Sequence, residues 1–238
     1  MGRGPSIEGR KNAEDARRGK LFTKLIREIT IAARGGADPG TNARLRAGID
    51  KALAANMTKD TIERAIKRGS GAEGTDNMQE LRYEGYGPSG VALIIDCMTD
   101  NQQRTVADVR HALSKHGGNL GTTGSVAFQF HRMGEFEFDT SAAGSEDKLL
   151  EAALDAGADD VQSDSGHSIV LCAPEHFEAV KKALTGAGFK ALKADVVWRP
   201  ENRVTVTSEA ADTLRDLIDW LEDLDDVQAV FHNAVLAG

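Results

Sequence analysis

Arg3, Arg10, Lys11, Arg17, Arg18, Lys20, Lys24 and Arg27 fall within 25 residues, and Arg34, Arg44, Arg46, Lys51, Lys59, Arg64, Lys67 and Arg68 follow before residue 70. Cations at this density suit one chemistry: they displace the counterions condensed on a polyanion, giving an affinity that falls steeply with salt and depends little on base sequence. Arg17, Arg18, Lys20, Lys24 and Arg27 are the expected central phosphate contacts. Arg44, Arg46, Lys59, Arg64, Lys67 and Arg68 would support them, with Arg10, Lys11, Arg34 and Lys51 in the same set. Stacking on unpaired bases is not expected, because Phe22 is the only aromatic residue in the first 80 and sits among apolar positions. A basic run is also often no more than a solvated helix face, so the charge of the rest of the chain matters.

The whole chain of 238 residues has a formal net charge of −8, which alone argues against a polyanionic ligand. The average hides a division. Residues 1–70 hold sixteen of the 29 Lys and Arg but only eight of the 37 Asp and Glu, a balance of +8 that leaves −16 for the remainder. A basic arm on an acidic body is a pattern of nucleic-acid binders. The acidic part offers equally a protein-docking surface.

Other chemistry finds little footing. The six histidines are scattered, none in the i, i+4 pair with an acidic partner that a helical zinc site needs. Cys97 and Cys172 each sit in an apolar run without a second cysteine at CxxC spacing, which reads as small core residues in a reducing compartment. No GxSxG, Walker A or GxGxxG-after-strand arrangement occurs, so no enzyme activity, metal or cofactor is expected. The acidic run Glu222-Asp223-Leu224-Asp225-Asp226 ends an expected helix and lacks the alternating ligands of a calcium loop; it reads as a solvated helix terminus. Gly117–Ser125 is glycine-rich with hydroxyls and could present N–H groups to phosphate, yet it follows a helix C-terminus, whose negative end opposes that use. Glu84–Gly90 reads as the turn of a hairpin.

The elements that must position these residues follow from apolar spacing. Leu21, Phe22, Leu25, Ile26, Ile29 and Ala33 share one helix face from Gly19 onward, stopped by Gly35-Gly36. Leu45, Ile49 and Leu53 mark a second helix capped by Thr41 or Asn42 and ended by Asn56 and Met57; Thr58 caps a third, closed by Gly69 as a left-handed C-cap. Residues 69–77 have linker composition. Beyond them the period changes. Val91–Cys97 and Ser125–Phe130 read as strands around a helix at Thr105–His116, and strand, helix, strand, strand, helix, strand follows from Glu135 to Trp198. A last strand (Arg203–Val206), helix (Ser208–Leu224) and strand (Val227–His232) complete the chain. The expected fold is α+β: a three-helix N-terminal domain (1–77) and two ferredoxin-like βαββαβ modules, one (132–200) inserted in the other (78–131 and 201–238). Three sequential small domains would leave a final unit with too little core. No apolar run is long enough for a membrane span, and the charged N-terminus lacks a secretory signal, so a cytoplasmic location is expected.

Several stretches also resemble a known family. Arg17–Arg34 (RRGKLFTKLIREITIAAR), Asn56–Gly69 (NMTKDTIERAIKRG), Tyr83–Thr105, Gly118–Phe128 (GNLGTTGSVAF) and Leu221–Val230 (LEDLDDVQAV) are similar, in order and over nearly the full chain, to the YebC/PmpR-type regulatory proteins, whose eukaryotic relatives act as mitochondrial translational activators. The resemblance implies a helical first domain, two α/β domains, one inserted in the other, and no catalytic activity. It also implies either DNA-binding transcriptional regulation or ribosome-associated assistance to translation, notably of proline-rich stretches. The chain departs from the usual family start, similar to GHSKWANIKHRK, with Gly2-Arg3-Gly4-Pro5-Ser6-Ile7-Glu8-Gly9-Arg10-Lys11, which places the expected binding on Arg17–Arg27. The functional expectation is a DNA-binding transcriptional regulator; the alternative is a translation factor on ribosomal RNA, since phosphate and shape recognition suit both. A small-molecule sensor built on the glycine-rich loops is a third reading. Oligomeric state leaves no signal in the sequence.

Overall fold

The computed structural model describes residues 7–74 and 76–236, and of Ile7, Glu8 and Arg10 the backbone alone. The chain forms two compact units. One comprises 1–125, 206–230 and 236–238; the other comprises 126–205 and 231–235.

The first unit begins with three helices, α1 (Ile7–Ala32), α2 (Ala43–Ala54) and α3 (Lys59–Gly69). Their apolar faces meet in a core of Leu25, Ile29, Ala32, Ala33, Leu45, Ala52, Met57, Ile62 and Ala65, with Phe22, Ile26, Ile49 and Ile66 packed around it. Each large side chain buried there contributes about 1.5–3 kcal/mol. Asn42 caps α2, its side chain accepting from Leu45 N–H at 3.0 Å, and Thr58 caps α3 by accepting from Thr61 N–H at 3.3 Å. Gly36 turns the chain after α1 at φ 136°, a conformation closed to other residues. Two expectations change here. Helix α1 starts at Ile7, well before Gly19, and from Lys11 to Gly19 every residue is exposed. Gly69 is the last residue of α3 and serves a different need from a left-handed cap: a Cβ there would lie 2.0 Å from the Thr30 carbonyl oxygen of α1.

The rest of the first unit is a sheet with two helices. Strands β1 (Gln79–Tyr86) and β2 (Ala92–Thr99) form an antiparallel hairpin running from Gln79↔Thr99 to Tyr86↔Ala92, with Ser89 and Gly90 at positive φ in its turn. Helix α4 (Gln102–Lys115) follows, capped by Asn101, and the two-residue β3 (Asn119–Leu120) returns to pair with β1. Further along the chain come β4 (Phe130–Asp139), α5 (Ser145–Asp155), β5 (Asp160–Asp164), β6 (His167–Cys172), α6 (Phe177–Gly186), β7 (Lys193–Pro200), β8 (Val204–Val206), α7 (Ser208–Asp223), β9 (Val227–His232) and β10 (Ala234–Leu236). The first sheet has the order β3-β1-β2-β9. Its β2 is buried on both faces, with Val109 and Leu113 of α4 and Leu214, Leu217 and Leu221 of α7 fully buried in the same unit.

The second unit holds an antiparallel sheet in the order β5-β6-β4-β7, built from β4, α5, β5, β6, α6 and β7. That is the βαββαβ succession of the ferredoxin-like motif. Its core joins Phe136, Phe138, Leu149, Val170, Phe177, Val180 and Leu184, with the Phe136 and Phe177 rings stacked at 4.8 Å. Strands β8 and β10 pair as a separate two-stranded ribbon.

The fold is thus mixed α+β, with N-terminal helices followed by antiparallel sheets. Two strand assignments are corrected. Ser125–Phe130 contributes no strand to the first sheet; Ala127–Gln129 is a 3-10 turn and Phe130 opens β4 of the second. The expected strand at Arg203–Val206 pairs with β10 instead of joining the first sheet, whose remaining strands are β1 and the short β3. Both Cys97 and Cys172 are free and buried, and burial pushes their thiols up, to about 12 and about 11.

Candidate nucleic-acid interface

The sixteen basic residues of the first 70 separate into groups once their surroundings are known. On the outer part of α1, Lys11, Arg17 and Arg18 are exposed; Arg18 lies over the Phe22 ring at 5.1 Å. Arg3 lies outside the described residues, as does the Arg10 side chain. On α3, Lys59, Lys67 and Arg68 are exposed, with Lys67 and Arg68 in the last turn, where they also complement the negative helix end. Arg64 sits 3.5 Å from Asp60 one turn earlier, a solvent-exposed pair of small energetic weight. Lys51 is exposed in the last turn of α2, and Arg46 donates to the Pro39 carbonyl at 2.7 Å.

The inner part of α1 is different. Lys20 pairs with the Asp223 carboxylate, and Lys24 donates to the Glu222 carbonyl at the end of α7. Arg27 goes deepest. One of its guanidinium nitrogens donates to the Met98 carbonyl at 2.7 Å, the Asp225 carbonyl at 2.9 Å and the Asp226 carboxylate at 2.8 Å. Asp226 also receives Arg104 of α4 through two nitrogens, at 3.0 and 2.8 Å, and the Thr105 hydroxyl at 2.8 Å. Burial alone would raise the Asp226 carboxyl, but the hydrogen bonds from Arg104, Arg27 and Thr105 prevail and hold it down at about 2. Lys24 is lowered by burial, against the opposing pull of Glu222, Asp225 and Asp223.

Two further arginines are braced inside the unit. Arg44 bridges Glu28 of α1, at 2.8 Å, and Glu80 of β1, at 2.5 Å, which raises the guanidinium and lowers Glu80. Arg34 donates to the Met78 carbonyl and reaches Asp76 at 3.3 Å. Of the expected central contacts, Arg17 and Arg18 therefore face solvent, whereas Lys20, Lys24 and Arg27 are engaged by the protein itself. The acidic run 222–226, expected to be a solvated terminus, is the surface that engages them. A local signal for this existed: α7 has no basic residue in its last turn and ends in acids, which a helix C-terminus disfavours unless cations arrive from elsewhere.

The glycine-rich loop is committed to the fold. Gly121 donates to the Glu84 carbonyl at 2.8 Å, and Gly124 donates to the buried Glu84 carboxylate at 2.5 Å, so both amides are taken up by Glu84. A Cβ on Gly118 would come within 2.1 Å of the Tyr86 carbonyl oxygen, which explains the glycine by close backbone approach. Among the described residues no group of three or more His, Cys, Asp or Glu could hold a metal ion, and no helix is long and apolar enough to cross a membrane.

Comparison with known proteins bears on the family and the fold. Residues 4–72 match the model of the TACO1/YebC N-terminal domain, and residues 78–234 match that of the TACO1/YebC second and third domain. The chain belongs to the TACO1/YebC family. The interval between the two family matches falls within the linker-like segment 69–77. A YebC-family relative from Xanthomonas campestris pv. campestris is 57% identical over 98% of this chain and 97% of its own length. Another, from Cupriavidus taiwanensis, is 58% identical over 97% and 96%. Both are named probable transcriptional regulatory proteins. The crystal structure of a conserved hypothetical protein from Aquifex aeolicus superposes with a TM-score of 0.85 at 44% identity, covering 94% of this chain and 93% of that one.

Proposed function

We propose that this chain is a non-enzymatic, cytoplasmic regulator that binds nucleic acid through its helical domain, residues 1–77, with duplex DNA as the target and transcription as the regulated process. One observation carries the reading. In a chain of net charge −8, Lys11, Arg17 and Arg18 on α1 and Lys59, Lys67 and Arg68 on α3 stand exposed with no acidic partner among the described residues. Unpaired cations on two helices of one bundle suit the phosphate backbone, which positions a protein without specifying sequence. The names of the YebC-family relatives support the regulatory part of the reading.

Fluorescence anisotropy with a short DNA duplex over a salt series tests it. Arg17→Glu with Arg18→Glu should lower affinity at least about tenfold and reduce the log–log salt slope by about two, one for each phosphate no longer neutralised. An unchanged affinity and slope in a folded double variant would overturn the assignment. A structured ribosomal RNA fragment titrated in parallel separates the targets. Tighter binding to RNA than to duplex DNA, at moderate salt and with the same dependence on Arg17 and Arg18, would transfer the regulator to translation.

A further inference from the structure

Three cations of α1 meet the acidic end of α7, and Arg104 of α4 joins them only at Asp226. Lys20 meets the side chain and carbonyl of Asp223, Lys24 the carbonyl of Glu222, and Arg27 the carbonyl of Asp225 and the carboxylate of Asp226, across 198 to 203 residues of sequence. Spaced by four and then three residues, these cations share one helix face. The oxygens they meet succeed one another along a short stretch of chain, mixing carbonyl and carboxylate. A string of acceptor oxygens, two of them carboxylate, met by cations along one helix face resembles the row of oxygens that the phosphate backbone would present.

The contacts are graded along that face. At the inner end the side chains of Arg27 and Asp226 are 15% and 7% exposed; at the outer end those of Lys20 and Asp223 are 41% and 68% exposed. Exposed pairs contribute little and are screened by salt, whereas the buried pair is hard to separate. A groove of about 530 Å³, lined by Lys20, Arg27, Arg104 and Asp223 among others, opens the outer contact to solvent. Duplex DNA carries one charge per roughly 1.7 Å and competes well for exposed cations.

Resting on the nucleic-acid reading above, we infer that the acidic run 222–226 is a built-in competitor for nucleic acid: it occupies Lys20 and Lys24 in the free protein and yields them to phosphate, while the Arg27–Asp226 contact stays closed. The run acts as an electrostatic gate on part of the binding surface. Arg17 and Arg18 make first contact, and the two lysines join when the run is displaced.

The test compares full-length wild type with Glu222→Gln/Asp223→Asn/Asp225→Asn, which spares Asp226. A charge-matched control, Asp212→Asn/Asp216→Asn/Asp219→Asn, alters exposed acids elsewhere on α7. Relative to wild type, the gate variant should bind duplex DNA about tenfold tighter at moderate salt, with a salt slope steeper by about one to two. The control should gain much less. An equal gain in both variants would show general charge repulsion and overturn the gate, as would an unchanged or weaker affinity in the gate variant. Should the triple variant fold poorly, Asp223→Asn alone should still tighten binding severalfold, and no gain there also overturns it. Amide exchange gives a separate readout: saturating DNA should speed exchange at 222–225 in wild type, where a purely structural contact would leave it unchanged. If neither wild type nor gate variant binds DNA or RNA, the nucleic-acid reading falls first and the gate with it; wild-type binding without the gate effects removes the gate alone.

Discussion

Lys67 and Arg68 on α3 and Lys24 and Arg27 on α1 are the same residue types on helices of one bundle, yet their situations are opposite. The α3 pair is exposed at the end of its helix, whereas the α1 pair is folded against the end of α7. Counting cations in a sequence therefore overestimates the number available to a polyanion. The difference also changes how mutants are read: weakened nucleic-acid binding on reversing Arg27 would report a damaged fold as readily as a missing phosphate interaction, whereas the same effect on reversing Lys67 would not.

The comparison breaks most sharply at Asp226. Replacing it by Ala leaves Arg27 without its carboxylate partner and Arg104 with Asp100 alone, and removing one partner of a buried pair costs about 3–5 kcal/mol, so urea unfolding should show a large drop in midpoint. A drop no larger than that of an exposed pair would place Arg27 back among the available cations. Gly69→Ala should follow closely. Its Cβ would meet the backbone of Thr30, which cannot rotate away, so a destabilisation of about 1–3 kcal/mol or more is expected, read by thermal or urea unfolding. A neutral effect would mean that α1 and α3 can separate without cost.

Acid pH gives a gentler test of the same site. Asp226 titrates at about 2 in the folded protein, below its ordinary 3.8, so its stabilising contribution is complete above about pH 4 and is lost as pH falls towards 2. The difference in stability between wild type and Asp226→Asn should therefore shrink over that window and be constant above it. The smallest effect is expected at Arg44. Its bridge between Glu28 and Glu80 is solvent-exposed on the arginine side, so Arg44→Ala should cost about 0–1 kcal/mol and shrink further in high salt.

Much of this molecule is written locally. The caps at Asn42 and Thr58, the apolar face from Phe22 to Ala33 (Leu21, expected on it, is exposed) and the βαββαβ succession after Phe130 all follow from spacings within a few turns of helix or one strand. The misread elements depend on distant chain. Ser125–Phe130 is rich in β-formers, yet only Phe130 enters a strand because the sheet edge beside β1 is already taken by Asn119-Leu120. Gly69 looks like an ordinary helix end until α1 is laid across it. The basic cluster is visible at once, but the fate of Lys20, Lys24 and Arg27 rests on residues some 200 positions away, to which only the misplaced acids of α7 point.

The outer part of α1 has a consequence of its own. Residues 11–19 are exposed on a helix whose described core contacts begin only near Phe22, so packing against this core adds nothing to their helicity, and isolated helices this short are marginal in water. At 1.5 Å per residue the stretch reaches roughly 13 Å beyond its root. For a stretch without core packing, the balance between coil and helix is a reservoir of entropy that any ligand gripping Arg17 and Arg18 must draw down. Shortening or stiffening this stretch should then change how tightly a ligand is held without moving a single contacting charge.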